Sequence, residues 1–357
     1  MATMSPLTVA IDAMGGDHAP DVLIGGAAIA RERYPQLRFV FFGDAAKVEP
    51  LIKAQPLLID CSELVHTATQ ISPDEKPSVA MRRGKGTSMW LACEAVRDGK
   101  AQAAVSAGNT GALMAVAMLL LRTSPAINRP AIASFLPTVR GESVMLDLGA
   151  NVGCDERNLV EFAFMGAAFA RLSLGLAKPR VALLNIGTED LKGNEAVRGA
   201  AQILRETPDL PFEFTGFVEG NGIAQGEADV IVSDGFAGNI ALKTQEGTAR
   251  LVSAYLAATF RRSIWSRLAY LLARPALQAL RERLDPNRYN GGALLGLNGL
   301  VVKSHGGTNA VGFAAAIAIA ADLALGNFTT KILDDLKRIA PATAPEAVVP
   351  AEVTVQS

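Results

Sequence analysis

The 357-residue chain has few of the residues that announce familiar chemistry: three cysteines, three histidines and two tryptophans. Cys61, Cys93 and Cys154 are too few and too scattered for a disulfide framework or a zinc site, which predicts a reducing compartment. HExxH and similar ligand spacings are missing, so no metal is expected. A GxSxG elbow is absent, and Cys154, close to the GANV turn, reads as a packing residue. Neither a Walker A pattern nor a GxGxxG after the first strand occurs, which disfavours a nucleotide; GKGTS at 84–88 is a superficial echo. Charge of one sign is lacking too: the net charge is −1, which argues against a nucleic-acid partner. The longest apolar run, ALMAVAMLLL at 112–121, is about half of what crosses a bilayer. With no basic-then-apolar leader at the amino terminus, the expectation is a cytoplasmic protein.

Half the residues are hydrophobic, and 33 are glycine. Short β-rich runs at 8–12, 38–43, 102–106, 131–136, 143–147, 180–185, 229–232 and 299–303 alternate with helical patterns at 20–33, 87–98, 109–121, 157–175, 194–206, 236–258 and 309–324. Such alternation predicts an α/β protein, a parallel or mixed sheet between two layers of helices. Residues 1–340 read as a single domain, and the Ala/Pro-rich tail 341–357 as disordered.

The strand exits are rich in Gly, Asn, Ser and Asp: IDAMGGDH, VSAGNTGA, LDLGANVG, NIGTEDLKGNE, VSDGFAGN and VKSHGGTN. In open α/β sheets, chemistry gathers where strands end, so six such loops predict one polar cleft. In SAGNTGA, the helix start and Ser106, Asn109 and Thr110 could hold an anion, although Asn109 or Thr110 as a plain N-cap explains the loop equally well. Lys192 in a Gly-rich exit could neutralise phosphate or simply be solvated. Lys303 and His305 raise the same choice between oxyanion chemistry and an incidental position. The pairs Asp12/Asp17 and Glu189/Asp190 are weak evidence for acid–base work, since turns use aspartate for local hydrogen bonds.

Taken in order, IDAMGGDHAP, VSAGNTGALMA, LDLGANV, LLNIGTEDLKGNE, DVIVSDGFAGNIALKTQEG and YNGGALLGLNGLVVKSHGG resemble the motifs of the acyl-carrier-protein:phosphate acyltransferases, across roughly residues 8–325. EGNGI at 219–223 departs from the family pattern and is left out of the site. The resemblance implies transfer of a fatty acyl group from acyl carrier protein to inorganic phosphate. The acyl phosphate would feed a membrane-bound glycerol-3-phosphate acyltransferase in phospholipid synthesis. It also implies a homodimer, an α/β/α fold similar to isocitrate and isopropylmalate dehydrogenases, and no cofactor. Phosphate is partly dianionic at neutral pH and the leaving thiol has a pKa of roughly 8.5, so direct attack needs no triad. Positioning and oxyanion stabilisation remain. On this reading Ser106, Asn109 and Thr110 hold phosphate, Lys192 balances its charge, and Asn151, Asn239 and Lys303 or His305 orient the thioester carbonyl or donate to its oxyanion. Gly15 and Gly16 give close backbone approach at the cleft floor, Asp12 and Asp17 orient a lysine or neighbouring loop N–H groups, and Asp234 joins the substrate-binding loops.

Residues 250–284 carry seven arginines against one glutamate. On a helix Ile264, Trp265, Leu268, Leu271 and Leu272 share one face, opposite Arg267, Tyr270 and Arg274, until Pro275 breaks the run. With Arg261 and Arg262, this is the pattern of a helix lying on an anionic membrane surface, making the protein peripheral. The arginines could instead receive the acidic carrier protein, or the helix could be a buried core or dimer element. Two other functions stay open: a phosphate acetyltransferase using acetyl-CoA, and a non-catalytic scaffold for lipid enzymes.

Overall fold

The computed structural model describes residues 7–283 and 289–336. Valine, isoleucine and phenylalanine dominate the strand runs because their side chains pack well on a pleated, doubly covered surface. The strands are β1 (Leu7–Asp12), β2 (Leu37–Gly43), β3 (Ser62–His66), β4 (Ala103–Ser106), β5 (Ala131–Thr138), β6 (Gly141–Leu146), β7 (Arg180–Leu184), β8 (Glu213–Val218), β9 (Val230–Val232), β10 (Gly292–Leu295) and β11 (Leu300–Lys303). They form one 11-stranded sheet in the order β3-β2-β1-β4-β11-β10-β5-β6-β9-β7-β8.

The helices are α1 (Asp21–Arg33), α2 (Ala45–Lys53), α3 (Pro77–Arg83), α4 (Ser88–Arg97), α5 (Thr110–Leu121), α6 (Glu156–Ser173), α7 (Glu195–Glu206), α8 (Gly220–Gln225), α9 (Gly235–Arg261), α10 (Ile264–Arg283), α11 (Ala310–Leu325) and α12 (Phe328–Leu336). Alternate strand residues enter different cores. Val9, Ile11, Val144 and Leu146 join α1, α6, α7 and α11, whereas Ala10 and Met145 join α4 and α5. This is the predicted α/β/α sandwich with a mixed, mostly parallel sheet.

Strand sense, however, reverses in the middle. β3, β2, β1, β4 and β11 run parallel. β10 is antiparallel to both β11 and β5, and β5 is antiparallel to β6, with β6, β9, β7 and β8 again parallel. The exits of β6, β7 and β9 therefore face the opposite end of the sheet from those of β1, β4 and β11. The six polar loops form two groups of three, not the single wall expected from their common position at strand ends.

Helix α9 spans the two groups. Its 27 residues give a rod of about 40 Å at 1.5 Å per residue. It starts at the β9 exit, where Asp234 caps it by accepting from Ala237 N at 2.7 Å. Farther along, Gln245 Nε2 donates to Pro137 O near the end of β5 at 3.0 Å. Its start is packed so tightly that a Cβ on Gly238 would overlap the Asp147 carbonyl. Beyond the sheet, α9 folds back on α10, and Phe260 meets Tyr270 edge-on at 5.6 Å between ring centroids. Ile264, Trp265, Leu268, Leu271 and Leu272 are exposed, so in the single chain this stripe is not a core face. Pro275 does not end the helix as expected: α10 runs through it. Proline removes one backbone donor, and at this exposed site water can satisfy the freed carbonyl.

Asp147 fixes the anchorage of α9. Its buried carboxylate accepts from Ile132 N (3.0 Å), Gly149 N (3.2 Å), Ala150 N (3.0 Å), Asn151 N (2.7 Å) and Asn151 Nδ2 (2.9 Å). Removing that acceptor strands several buried donors. Asp147→Ala is expected to lower unfolding stability by about 3 kcal/mol in urea titrations. A loss below about 0.5 kcal/mol would show that the loop re-satisfies itself.

Candidate active site

The loops after β1, β4 and β11 are tied together by short hydrogen bonds. Ser106 Oγ donates to Asp12 Oδ2 at 2.6 Å and accepts from Gly108 N at 3.0 Å. Ser304 N donates to Ser106 O at 2.8 Å, and Asp17 N to Gly306 O at 2.9 Å. Gly15 must lack a side chain, because a Cβ there would lie 2.7 Å from Gly108 N. Burial pushes the Asp12 carboxyl up, opposed by its hydrogen bonds from Ser106 and Ser88.

Lys303 leaves β11 beside this knot, its Nζ donating to Ala107 O and Ser304 O. Burial lowers its pKa to about 8, while the charges of Asp12 and Asp17 resist the fall. His305 N donates to Asn290 Oδ1 at 2.8 Å, and Gly307 N donates to His305 Nδ1 at 3.2 Å. With Nδ1 accepting, a neutral imidazole carries its proton on Nε2. Desolvation and the ammonium groups of Lys243 and Lys303 hold His305 below its usual range, favouring that neutral form.

A groove of about 420 Å³ opens in front of these groups, between β5 and α9. Its polar lining includes Thr110, Asn239, Lys243, Lys303 and His305, and its apolar lining Ile132, Phe135, Leu136, Pro137, Leu148 and Leu242. The cations and the hydroxyl donor suit a small dianion, and the apolar side chains suit a hydrocarbon chain. Nothing here is an activated nucleophile. Cys61 and Cys93 are buried, and burial pushes the half-buried Cys154 thiol up to about 12. Among the described residues, no cluster of His, Cys, Asp and Glu could hold a metal ion.

Of the residues singled out from sequence, Thr110, Asn239, Lys303 and His305 line the groove. Asp12, Gly15, Gly16, Asp17 and Ser106 build the knot behind it, and Ser106 is only 1% exposed. Asn109 is the N-cap of α5 through its Oδ1 and donates from Nδ2 to Pro73 O, so its amide is already engaged. Asn151 is a buried partner of Asp147 and Pro130 O. Asp234 is the cap of α9. Lys192 is not brought to the groove: it sits exposed after β7, at the other end of the sheet from Ser106.

Lys243, Glu246 and Arg250, absent from the residues singled out above, line the groove from α9, with Glu246 bonded to both cations at 3.0 and 2.9 Å. Their i, i+3, i+7 spacing was the available signal, a charged stripe on a helix whose neighbouring stripe is apolar. Also absent is Asn290, whose Nδ2 donates to Ser304 Oγ (2.7 Å) and Thr308 Oγ1 (2.9 Å) and so orients the loop bearing His305.

Residues 7–331 match the family model described as "Fatty acid synthesis protein". A phosphate acyltransferase from Parvibaculum lavamentivorans is 56% identical over 342 residues, covering 96% of this chain and 94% of the relative. One from Rhodospirillum centenum is also 56% identical over 342 residues, with 96% of both chains covered. The chain belongs to the phosphate acyltransferase family. It is an acyltransferase of fatty acid synthesis, which sets aside the non-catalytic scaffold. Among solved structures, a phosphotransacetylase from Streptococcus pyogenes superposes with TM-score 0.59 at 19% identity, over 90% of this chain and 94% of the other. A 4-hydroxythreonine-4-phosphate dehydrogenase from Klebsiella pneumoniae gives 0.51 at 15% identity, over 90% of this chain and 100% of the other. These share the fold with this acyltransferase.

Lys303 should titrate with a midpoint near 8 in an NMR titration of lysine side chains, against about 10.4 for a solvated lysine. It is cationic below that pH and neutral above it. Because Asp12 favours the ammonium, Asp12→Asn should move the midpoint lower still. A midpoint above about 10 would refute the burial argument.

Proposed function

We propose that the chain transfers a fatty acyl group from acyl carrier protein to inorganic phosphate, by direct attack of phosphate on the thioester. The supporting observation is the groove itself, whose lining combines the cations Lys243 and Lys303 with a set of apolar side chains. Phosphate rests between Lys303 and Lys243 with Thr110 as a hydroxyl donor; Lys192, outside the groove, has no part in balancing its charge. A phosphate oxygen adds to the thioester carbon, and the carbonyl oxygen takes up charge facing Asn239 Nδ2 and His305 Nε2–H. Collapse of that tetrahedral centre breaks the C–S bond. The thiolate leaves without an acid catalyst and takes its proton from water or from the phosphate. Catalysis is then positioning and electrostatic stabilisation in a partly desolvated groove. The acyl chain lies along Ile132, Leu136, Leu148 and Leu242, a wall that an acetyl group would leave unused. That favours a long-chain donor over acetyl-CoA.

We also assign the α9–α10 hairpin to an anionic membrane surface. Trp265 and Leu272 are 79% and 82% exposed on an arginine-flanked helix, the chemistry of a peripheral membrane contact. No helix among the described residues is long and apolar enough to cross a membrane. A peripheral contact would bring the acyl phosphate to a membrane-bound glycerol-3-phosphate acyltransferase. A homodimer is part of the same proposal, and it rests on the family resemblance.

The purified chain, given phosphate and long-chain acyl carrier protein, is expected to form a product that hydroxylamine traps as the hydroxamate. With arsenate in place of phosphate, the thioester should simply hydrolyse. Lys303→Ala should lower kcat/KM for phosphate about 100-fold, with Lys303→Arg recovering part of it. An acyl group trapped on a serine or cysteine, or activity confined to acetyl-CoA, would refute the mechanism or the donor respectively. Flotation with anionic vesicles should be lost in the Leu268→Glu/Leu271→Glu variant; unchanged flotation would remove the hairpin from the membrane.

A further inference from the structure

Helix α3 forms a cationic shelf at the mouth of the groove. Between Asp74 and Lys85 the chain places Lys76, Arg82, Arg83 and Lys85 against two carboxylates, in a protein whose net charge is −1. All four cations are exposed. Among the described residues none forms an ion pair; Arg82 Nε donates only to Ser78 O, at 3.1 Å. Met81, 41% exposed, sits among them, while Ala80 is buried and Val79 half-buried, holding the helix to the body.

The shelf is fixed to the groove by two contacts. Asn109 Nδ2 donates to Pro73 O and, at 3.4 Å, to Glu75 O. A Cβ on Gly111 would lie 2.9 Å from Pro77 Cγ, so α3 begins against the first turn of α5, next to the groove-lining Thr110. By comparison, Arg261 lies about 27 Å along α9 from Lys243, at 1.5 Å per residue.

We propose that α3, through Lys76, Arg82, Arg83 and Lys85 with Met81 at the centre, is the docking surface for the acidic acyl carrier protein. This rests on the proposed carrier-bound donor. Unpaired cations and an exposed methionine in one short segment match an acidic helix with a few apolar contacts, and exposed charges of this kind govern encounter and orientation. The arginines of the hairpin are then left to the membrane. A carrier seated on α3 presents its thioester arm at the Thr110 end of the groove, where the cations for phosphate stand.

The test compares an Arg82→Glu/Arg83→Glu/Lys85→Glu variant with an Arg261→Glu/Arg262→Glu/Arg267→Glu variant. Carrier binding is measured by fluorescence anisotropy, which does not require turnover, and transfer to phosphate is measured from acyl carrier protein and from acyl-CoA of the same chain. The α3 variant should weaken carrier binding and raise its KM at least about tenfold, with kcat/KM for acyl-CoA unchanged. The hairpin variant should bind the carrier as the parent does. Unchanged carrier binding in the α3 variant, loss only in the hairpin variant, or no binding by the parent would each overturn the proposal. Failure of the parent to transfer from carrier protein despite binding it would instead refute the proposed donor. Unchanged thermal unfolding of the α3 variant separates lost docking from lost folding.

Discussion

The reversal of strand sense at β10, β5 and β6 is the constraint on which the rest of the molecule depends. Two parallel blocks pointing opposite ways send their polar exits to opposite ends of the sheet. Only an element that runs along the sheet can relate one end to the other, and α9 does so. Its first turns are locked by Gly238 against Asp147, and its middle reaches β5 through Gln245 and Pro137. The groove exists because β5 and α9 lie side by side without closing on each other. Asp147 thus serves the groove indirectly, by holding the loop against which α9 starts.

The electrostatics follow from the same packing. Asp12 and Lys303 are both drawn out of water by the knot of β1, β4 and β11 exits, and burial disfavours the charged form of each. Each charge in turn favours the other. An anion arriving beside Lys303 supplies further negative charge where the ammonium is under-solvated, so binding stabilises the cation it needs. The two carboxylates of the first loop, which at first sight repel phosphate, therefore have a place: Asp12 and Asp17, in the knot behind the groove, sustain the charge on Lys303.

Much of this was legible from sequence, and what was not has identifiable causes. The eight strand runs all appear within a residue or two, because Val/Ile runs bounded by turn residues are a local signal. β3, β8 and β10 escaped the reading. SELVH and EFTGFV are sheet-edge strands whose residues are mostly exposed or half-buried, and GALL has no β-branched residue. The grouping of the loops was out of reach for a different reason. Whether Lys192 faces the same end of the sheet as Ser106 depends on antiparallel pairing between residues 131–146 and 292–303, which no local window contains. Asn109, Asn151 and Asp234 show the complementary limit. Their residue types suit a ligand, but caps and buried donors claimed them first, since an unsatisfied backbone N–H is costly.

Helix α9 joins the groove to the hairpin as a single rod, and its residues change role along its length. Asn239, Leu242, Lys243, Glu246 and Arg250 line the groove; Leu251, Val252 and Tyr255, about one and a half to two and a half turns beyond Glu246, are exposed. Apolar side chains of the groove and of the hairpin therefore share one helix, with the Lys243–Glu246–Arg250 charges between them. For a product with a charged head and a long hydrocarbon tail, the costly step is exposing that tail to water, about 0.8 kcal/mol for each methylene. On the proposed reading, a path that keeps the tail against α9 from the groove toward a lipid surface avoids that cost, while the phosphate end stays with Lys303 until the last. The same geometry leaves the Thr110 end of the groove to an incoming donor, so that entry and exit need not compete for one opening.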